Sequence, residues 1–157
     1  MSETLFLKLK DKHSAKISSS QIGQIGEEIA AKFLVKNGYR LIMSNFKTPI
    51  GRNNRGAQVT GEIDLIALDE DFLCFVEVKT RSSDNFASPL AAVDLRKQRQ
   101  IIRTARMYRK IFRLHSMKIC YDVISIVLPE NSRPETELIK NYFNEKKFRK
   151  LFWADDL

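Results

Sequence analysis

Three side chains set the chemical question: Asp64 in EIDLIAL (62–68), and Glu77 with Lys79 in FVEVKTR (75–81). On an extended strand alternate side chains share a face. Glu77 and Lys79 therefore stand together with Phe75 and Arg81, while Glu62, Asp64 and Ile66 share one face of the preceding segment. Only the acidic turn DED separates the two segments, which predicts an antiparallel hairpin that lays Asp64 beside Glu77 and Lys79. Two carboxylates and a lysine so placed suit phosphodiester hydrolysis assisted by a divalent ion. Carboxylate oxygens are the hard ligands that Mg²⁺ or Mn²⁺ prefers. The ion lowers the pKa of a bound water, and a neighbouring ammonium stabilises the negative charge that develops.

An ExK triplet taken alone is more often a solvated strand face than a site. Here Leu73 and Phe75 precede Glu77 and Lys79 on the same face, so that face begins in a core and turns polar at one end. Charges enclosed in this way need a partner or a metal. An internal Glu77–Lys79 ion pair would meet that need without catalysis. At 100° per residue, Glu27 of GEEIAAKFL lies at the edge of its helix's apolar sector beside Ala30 and Leu34, and Glu28 falls farther toward solvent. Glu27 reads either as a boundary residue or as a third acid facing the sheet.

The elements that must position these groups are legible in outline. A helix runs from Ser20 as N-cap to the stop signal Asn37-Gly38, with Ile22, Ile25, Ile29 and Phe33 as its stripe. Residues 39–46 read as a strand and residues 47–61, rich in Gly and Asn, as a loop. Strands at 62–68 and 72–80 follow, then a long helix from Pro89 to Phe112, a strand at 120–128 and a final strand at 137–143. The expected organisation is a basic N-terminal extension over 1–18, one domain over 19–145 and a C-terminal tail over 146–157.

The second helix carries Arg96, Arg99, Arg103, Arg106, Lys110 and Arg113 at spacings of three and four, with no acid interleaved. Such a stripe is a solvated face or a surface that tracks phosphates. Ile101, Ala105, Tyr108 and Phe112 form the opposite, sheet-docking side. Lys97 and Gln98 fall in or beside that side, where they can reach the acidic cluster; alternatively Lys97 extends along its stem to solvent.

Composition narrows the classes. The 157 residues favour one domain, and 27 Lys and Arg against 19 Asp and Glu give +8, a bias toward polyanionic partners. Cys74 and Cys120 sit in apolar runs without a CxxC pair, and His13 and His115 are isolated, so a zinc or histidine-metal site is not expected. No P-loop, GxGxxG, membrane-length apolar run or signal-peptide core is present, which points to the cytoplasm and to no small-molecule cofactor.

The order GEEIAAKFLVKNGYRLIMSNF, GEIDLIALDEDFLCFVEVKTR, VDLRKQ and YDVISIV resembles the YraN family of bacterial proteins, assigned to the PD-(D/E)XK, restriction-endonuclease-like nuclease superfamily. The resemblance runs from about residue 23 to 143. It implies an α/β fold with an αβββαβ core and a central mixed sheet flanked by helices. It implies Asp64, Glu77 and Lys79 as the catalytic set, Glu27 as the helix-borne acid and Lys97 as the lysine of the following helix, with Gln98 and Glu62 in support. On that basis Asp64, Glu77, the Val78 carbonyl and Glu27 would hold Mg²⁺ or Mn²⁺, and Lys79 would position water. Arg81, Arg96, Arg99, Arg103, Arg106 and Lys110, with Arg52 and Arg55 of the longer 47–61 segment, would grip DNA rather than RNA. The expected protein is a metal-dependent endonuclease of DNA, structured or branched DNA included, with its oligomeric state open and a homodimer one option. Its competitors are a nucleic-acid-binding accessory protein that keeps the fold without cutting, and a protein-binding module whose basic helix meets an acidic partner.

Overall fold

Ser18, not Ser20, opens the first helix. Its hydroxyl accepts the Gln21 N–H and the Gln21 side chain accepts the Ser18 N–H, a reciprocal cap that satisfies two otherwise orphaned donors. Helix α1 spans Ser19–Lys36 and stops at Asn37, with Gly38 at φ +89°. The computed structural model describes residues 17–82 and 93–149; the basic N-terminal segment and Pro89 lie outside them.

Five strands follow: β1 (Arg40–Arg52), β2 (Gln58–Asp69), β3 (Phe72–Ser82), β4 (Lys118–Leu128) and β5 (Glu135–Phe143), with helix α2 (Leu95–Ile111) between β3 and β4. They form one mixed sheet in the order β1-β2-β3-β4-β5. The β1/β2, β2/β3 and β4/β5 pairs are antiparallel, while β3 and β4 run parallel across the α2 crossover. Helix α2 begins at Leu95 because the Asp94 carboxylate, on extended backbone, accepts the Lys97 N–H.

Both faces of the sheet are covered. On one, Ile25, Ala30 and Leu34 of α1 pack on Leu65, Val76, Ile124 and Ile126. On the other, Ile101, Ile102, Ala105 and Tyr108 of α2 pack on Ile63, Ile66, Phe75 and Tyr121. Phe112, expected among the docking residues, is the C-cap of α2 and 45% exposed. Residues 145–148 form a 3-10 turn whose Phe148 is 1% exposed in the α2-side core, so the folded domain extends past residue 145. Among the described residues no helix is long and apolar enough to cross a membrane.

Residues 47–61 are strand rather than loop, apart from the turn around 53–57. β1 and β2 stay paired out to Arg52–Gln58. Pro49 and Gly51 are accommodated because β1 is an edge strand and the register shifts between them. β2 and β3 part much earlier, at Leu65–Val76. The result is a two-stranded arm that leaves the sheet at Asp64.

Candidate active site

The parting of β2 and β3 creates the site. One more step of their register would set Asp64 against Glu77, but the ladder has ended. Asp64 Oδ2 instead accepts the Val78 N–H at 2.8 Å, so a side chain replaces the missing backbone partner. The alternation of β2 slips here. Ile63 and Ile66 both join the α2-side core while Leu65 and Ala67 join the α1 side, so Asp64 does not share a face with Ile66 as strict alternation predicts. Asn45, between the β1 partners of Leu65 and Ile63, takes φ +54°, a conformation Asn tolerates better than most residues.

Asp64 and Glu77 are 9% and 7% exposed. Glu77 Oε1 lies 3.3 Å from Lys97 Nζ, which reaches in from the first turn of α2. Glu77 Oε2 is buried with no hydrogen-bond partner. Burial, then the charge of Asp64, pushes Glu77 up to about 7 against the pull of Lys97. Burial likewise raises Asp64, opposed by the Val78 N–H and by Lys97. An orphaned carboxylate oxygen beside a second buried carboxylate requires a proton or a cation. This donor set of hard oxygens fits Mg²⁺ or Mn²⁺.

Glu27 arrives from α1. Its helix sits close on β3 because residue 26 is glycine: a Cβ there would overlap the Thr80 hydroxyl. Half-buried Glu27 meets the Asn45 side chain, and burial followed by the Asp64 and Glu62 charges raises its pKa. The Val78 N–H and C=O point to the same edge of β3, so the carbonyl faces the gap toward β2. Glu27, Asp64, Glu77, Val78, Lys79 and Arg81 all line one cleft of about 380 Å³. Lys79 is exposed at its mouth, and no described carboxylate pairs with it.

Other expected members stand elsewhere. Gln98 Nε2 donates to the Val93 carbonyl just before α2, and its buried Oε1 has no hydrogen-bond partner. Glu62 pairs with Lys47 across the arm at 3.4 Å and reaches the site only through its charge. The stripe on α2 is partly committed: Glu145 pairs with Arg106 and Arg109, Arg103 donates to the Ile50 carbonyl, and Arg99 lies over the Phe148 ring. The acid missing from the helix comes from beyond β5. Arg96, Lys110, Arg52 and Arg55 are exposed. Asn45 escapes the sequence reading; its signal is an amide inside an otherwise β-forming run.

Residues 26–126 match the model of the uncharacterised protein family UPF0102. A UPF0102 protein of Caldanaerobacter subterraneus is 40% identical over 113 residues, covering 72% of this chain and 84% of the relative. Another, from Trichlorobacter lovleyi, is 40% identical over 124 residues, covering 78% of this chain and 90% of the relative. Among solved structures, the crystal structure of SSO0001 aligns with 99% of this chain and 65% of its own at 19% identity and a TM-score of 0.37, a likeness too loose to assign a fold. The family model spans well over half of the sequence, and the chain belongs to the uncharacterised protein family UPF0102, the YraN-like family that GEIDLI and FVEVKTR predict.

Proposed function

We propose that the cleft hydrolyses phosphodiester bonds of DNA, as a restriction-endonuclease-like enzyme of the PD-(D/E)XK type working in the cytoplasm. The single observation that carries this reading is the buried, unpartnered Glu77 Oε2 beside buried Asp64. Asp64 and Glu77 would hold Mg²⁺ or Mn²⁺, with the Val78 carbonyl and Glu27 toward the same opening. When bound, the ion supplies charge neutralisation at the scissile phosphate and acidifies water. Lys79, unpaired among the described residues and exposed at the mouth, orients the attacking water and stabilises charge on the phosphoryl oxygens. Asp64, fixed by the Val78 N–H, keeps its second oxygen for the cleft. Lys97 offsets part of the repulsion between the two acids.

A second reading, a nucleic-acid-binding protein that does not cut, draws on the same ion pair: Lys97 already satisfies one Glu77 oxygen. Incubating single-stranded, duplex, flap and four-way-junction DNA with Mn²⁺ separates the two. The hydrolytic reading expects cleavage that drops at least a hundredfold in Asp64→Ala and Lys79→Ala while DNA binding persists. Undiminished cleavage by either variant would sink it, and absence of turnover with every divalent ion would favour the second reading.

A further inference from the structure

The arm that leaves the sheet at Asp64 is braced along its length, and its composition selects a partner. It is fastened to α2 by Arg103 Nη2 donating to the Ile50 carbonyl at 2.7 Å and Gln100 Nε2 to the Thr60 carbonyl at 3.3 Å. Gly61 lets α2 approach so closely that a Cβ would overlap the Thr104 hydroxyl. The tip is equally fixed. Asn53 Oδ1 accepts the N–H groups of Arg55 and Ala57, and Arg52 Nη1 donates to the Gly56 carbonyl at 2.7 Å. From Asp64 to Gln58, opposite Arg52, β2 advances six residues, or about 20 Å. Between residues 46 and 62 the only basic side chains are Lys47, Arg52 and Arg55, and Glu62 alone opposes them, already paired with Lys47. The tip is thus an isolated pair of cations held at a fixed reach from the carboxylates.

We infer that this arm is a duplex-contacting wing that holds double-stranded nucleic acid about six base pairs from the cleft. The inference rests on the cleft being a nucleic-acid site and adds the substrate class. A rod with a fixed span matches a partner that is itself stiff over that distance, as duplex DNA is. Single-strand binding relies on aromatic platforms for the bases, and no aromatic residue occurs between residues 47 and 62. Two arginines and the amides of Asn53 and Asn54 offer backbone and groove contacts instead.

The test is anisotropy binding of the full chain in EDTA to a 20-base-pair duplex (about three times the inferred reach) and to a single strand of equal length. Arg52→Gln with Arg55→Gln should weaken duplex binding about tenfold and make the log–log salt dependence shallower by about two. Single-strand binding should fall less than about twofold. Arg55→Glu serves as the second variant, because it leaves the Arg52–Gly56 bond that shapes the tip. Duplex affinity unchanged in Arg55→Glu, equal losses on both strand forms, or no duplex binding by the parent protein each overturn the wing. Binding without cleavage removes the hydrolytic reading and leaves the wing standing; cleavage with arm-independent binding does the reverse.

Discussion

Asp64 and Asp122 are the same device used twice. Each is a buried aspartate at a break in a β-ladder, and each accepts a backbone N–H from the neighbouring strand: Val78 at 2.8 Å for Asp64, Asn141 at 2.9 Å for Asp122. Burial raises both pKa values. Their surroundings differ. Asp64 has Glu77 beside it, Glu27 and Lys97 converging from opposite helices, and an open cleft. Asp122, 1% exposed, adjoins the thiols of Cys74 and Cys120 in the core. A buried carboxylate is thus not itself a mark of chemistry. A second acid and an open approach distinguish the first site, while the second aspartate stitches a bulge between β4 and β5.

The comparison predicts a split in stability. Asp122→Ala should lower the unfolding free energy by about 3 kcal/mol, since it leaves a buried N–H unpaired and a cavity behind. Asp64→Ala should cost less than about 1 kcal/mol, because the freed Val78 N–H faces a wet cleft and repulsion with Glu77 disappears. Urea denaturation of both variants measures the difference. Equal losses would break the distinction between a sealed and an open site.

The same contrast explains what the sequence could reveal. Alternation and a three-residue turn are local, so the β2–β3 hairpin, the α-βββ-α-ββ order and the approach of Asp64 to Glu77 follow from them. Helical period sets Lys97 on the sheet-facing side but leaves it free to reach either the acids or solvent; the structure pairs it with Glu77. The phase slip at Asp64 does not, because it depends on a carboxylate substituting for a ladder bond and on Asn45 adopting a positive φ. The arm was hidden by its Pro and Gly, which an edge strand tolerates and a central strand would not. Glu145 lies 36 and 39 residues from the arginines it neutralises, beyond the reach of any helical pattern. Gln98 fell in the right sector, but the carbonyl of Val93 claims its amide.

A pH series sharpens the distinction next. Glu77 moves from 4.5 to about 7 on folding. A carboxyl raised in the native state binds more protons there than in the unfolded chain between those two values, so stability falls as pH rises through that window. At about 1.4 kcal/mol per unit the shift is worth on the order of 3 kcal/mol. Glu77→Gln should remove that part of the decline between pH 5 and 7.5 in EDTA. Denaturation curves with the same pH slope in both proteins would show that Glu77 is not the group responsible.

The smallest effect asks which site takes a cation. The cleft offers carboxylate oxygens, whereas Cys74, Cys120 and Asp122 place two sulfurs and an oxygen within 4.8 Å of one another in the core. Hard Mg²⁺ or Mn²⁺ prefers the first set and soft ions the second. An ion that binds only the folded state at tenfold its dissociation constant adds about 1.4 kcal/mol, or about 4 °C in a domain of this size. Millimolar Mn²⁺ should therefore raise the melting temperature of the parent and of Cys74→Ala alike, and leave Glu77→Gln unmoved. The rise should grow from pH 6 to pH 8, because the ion must displace the proton that Glu77 holds below about 7. Protection that survives in Glu77→Gln and vanishes in Cys74→Ala would place the ion in the sealed core and leave the open cleft without its metal.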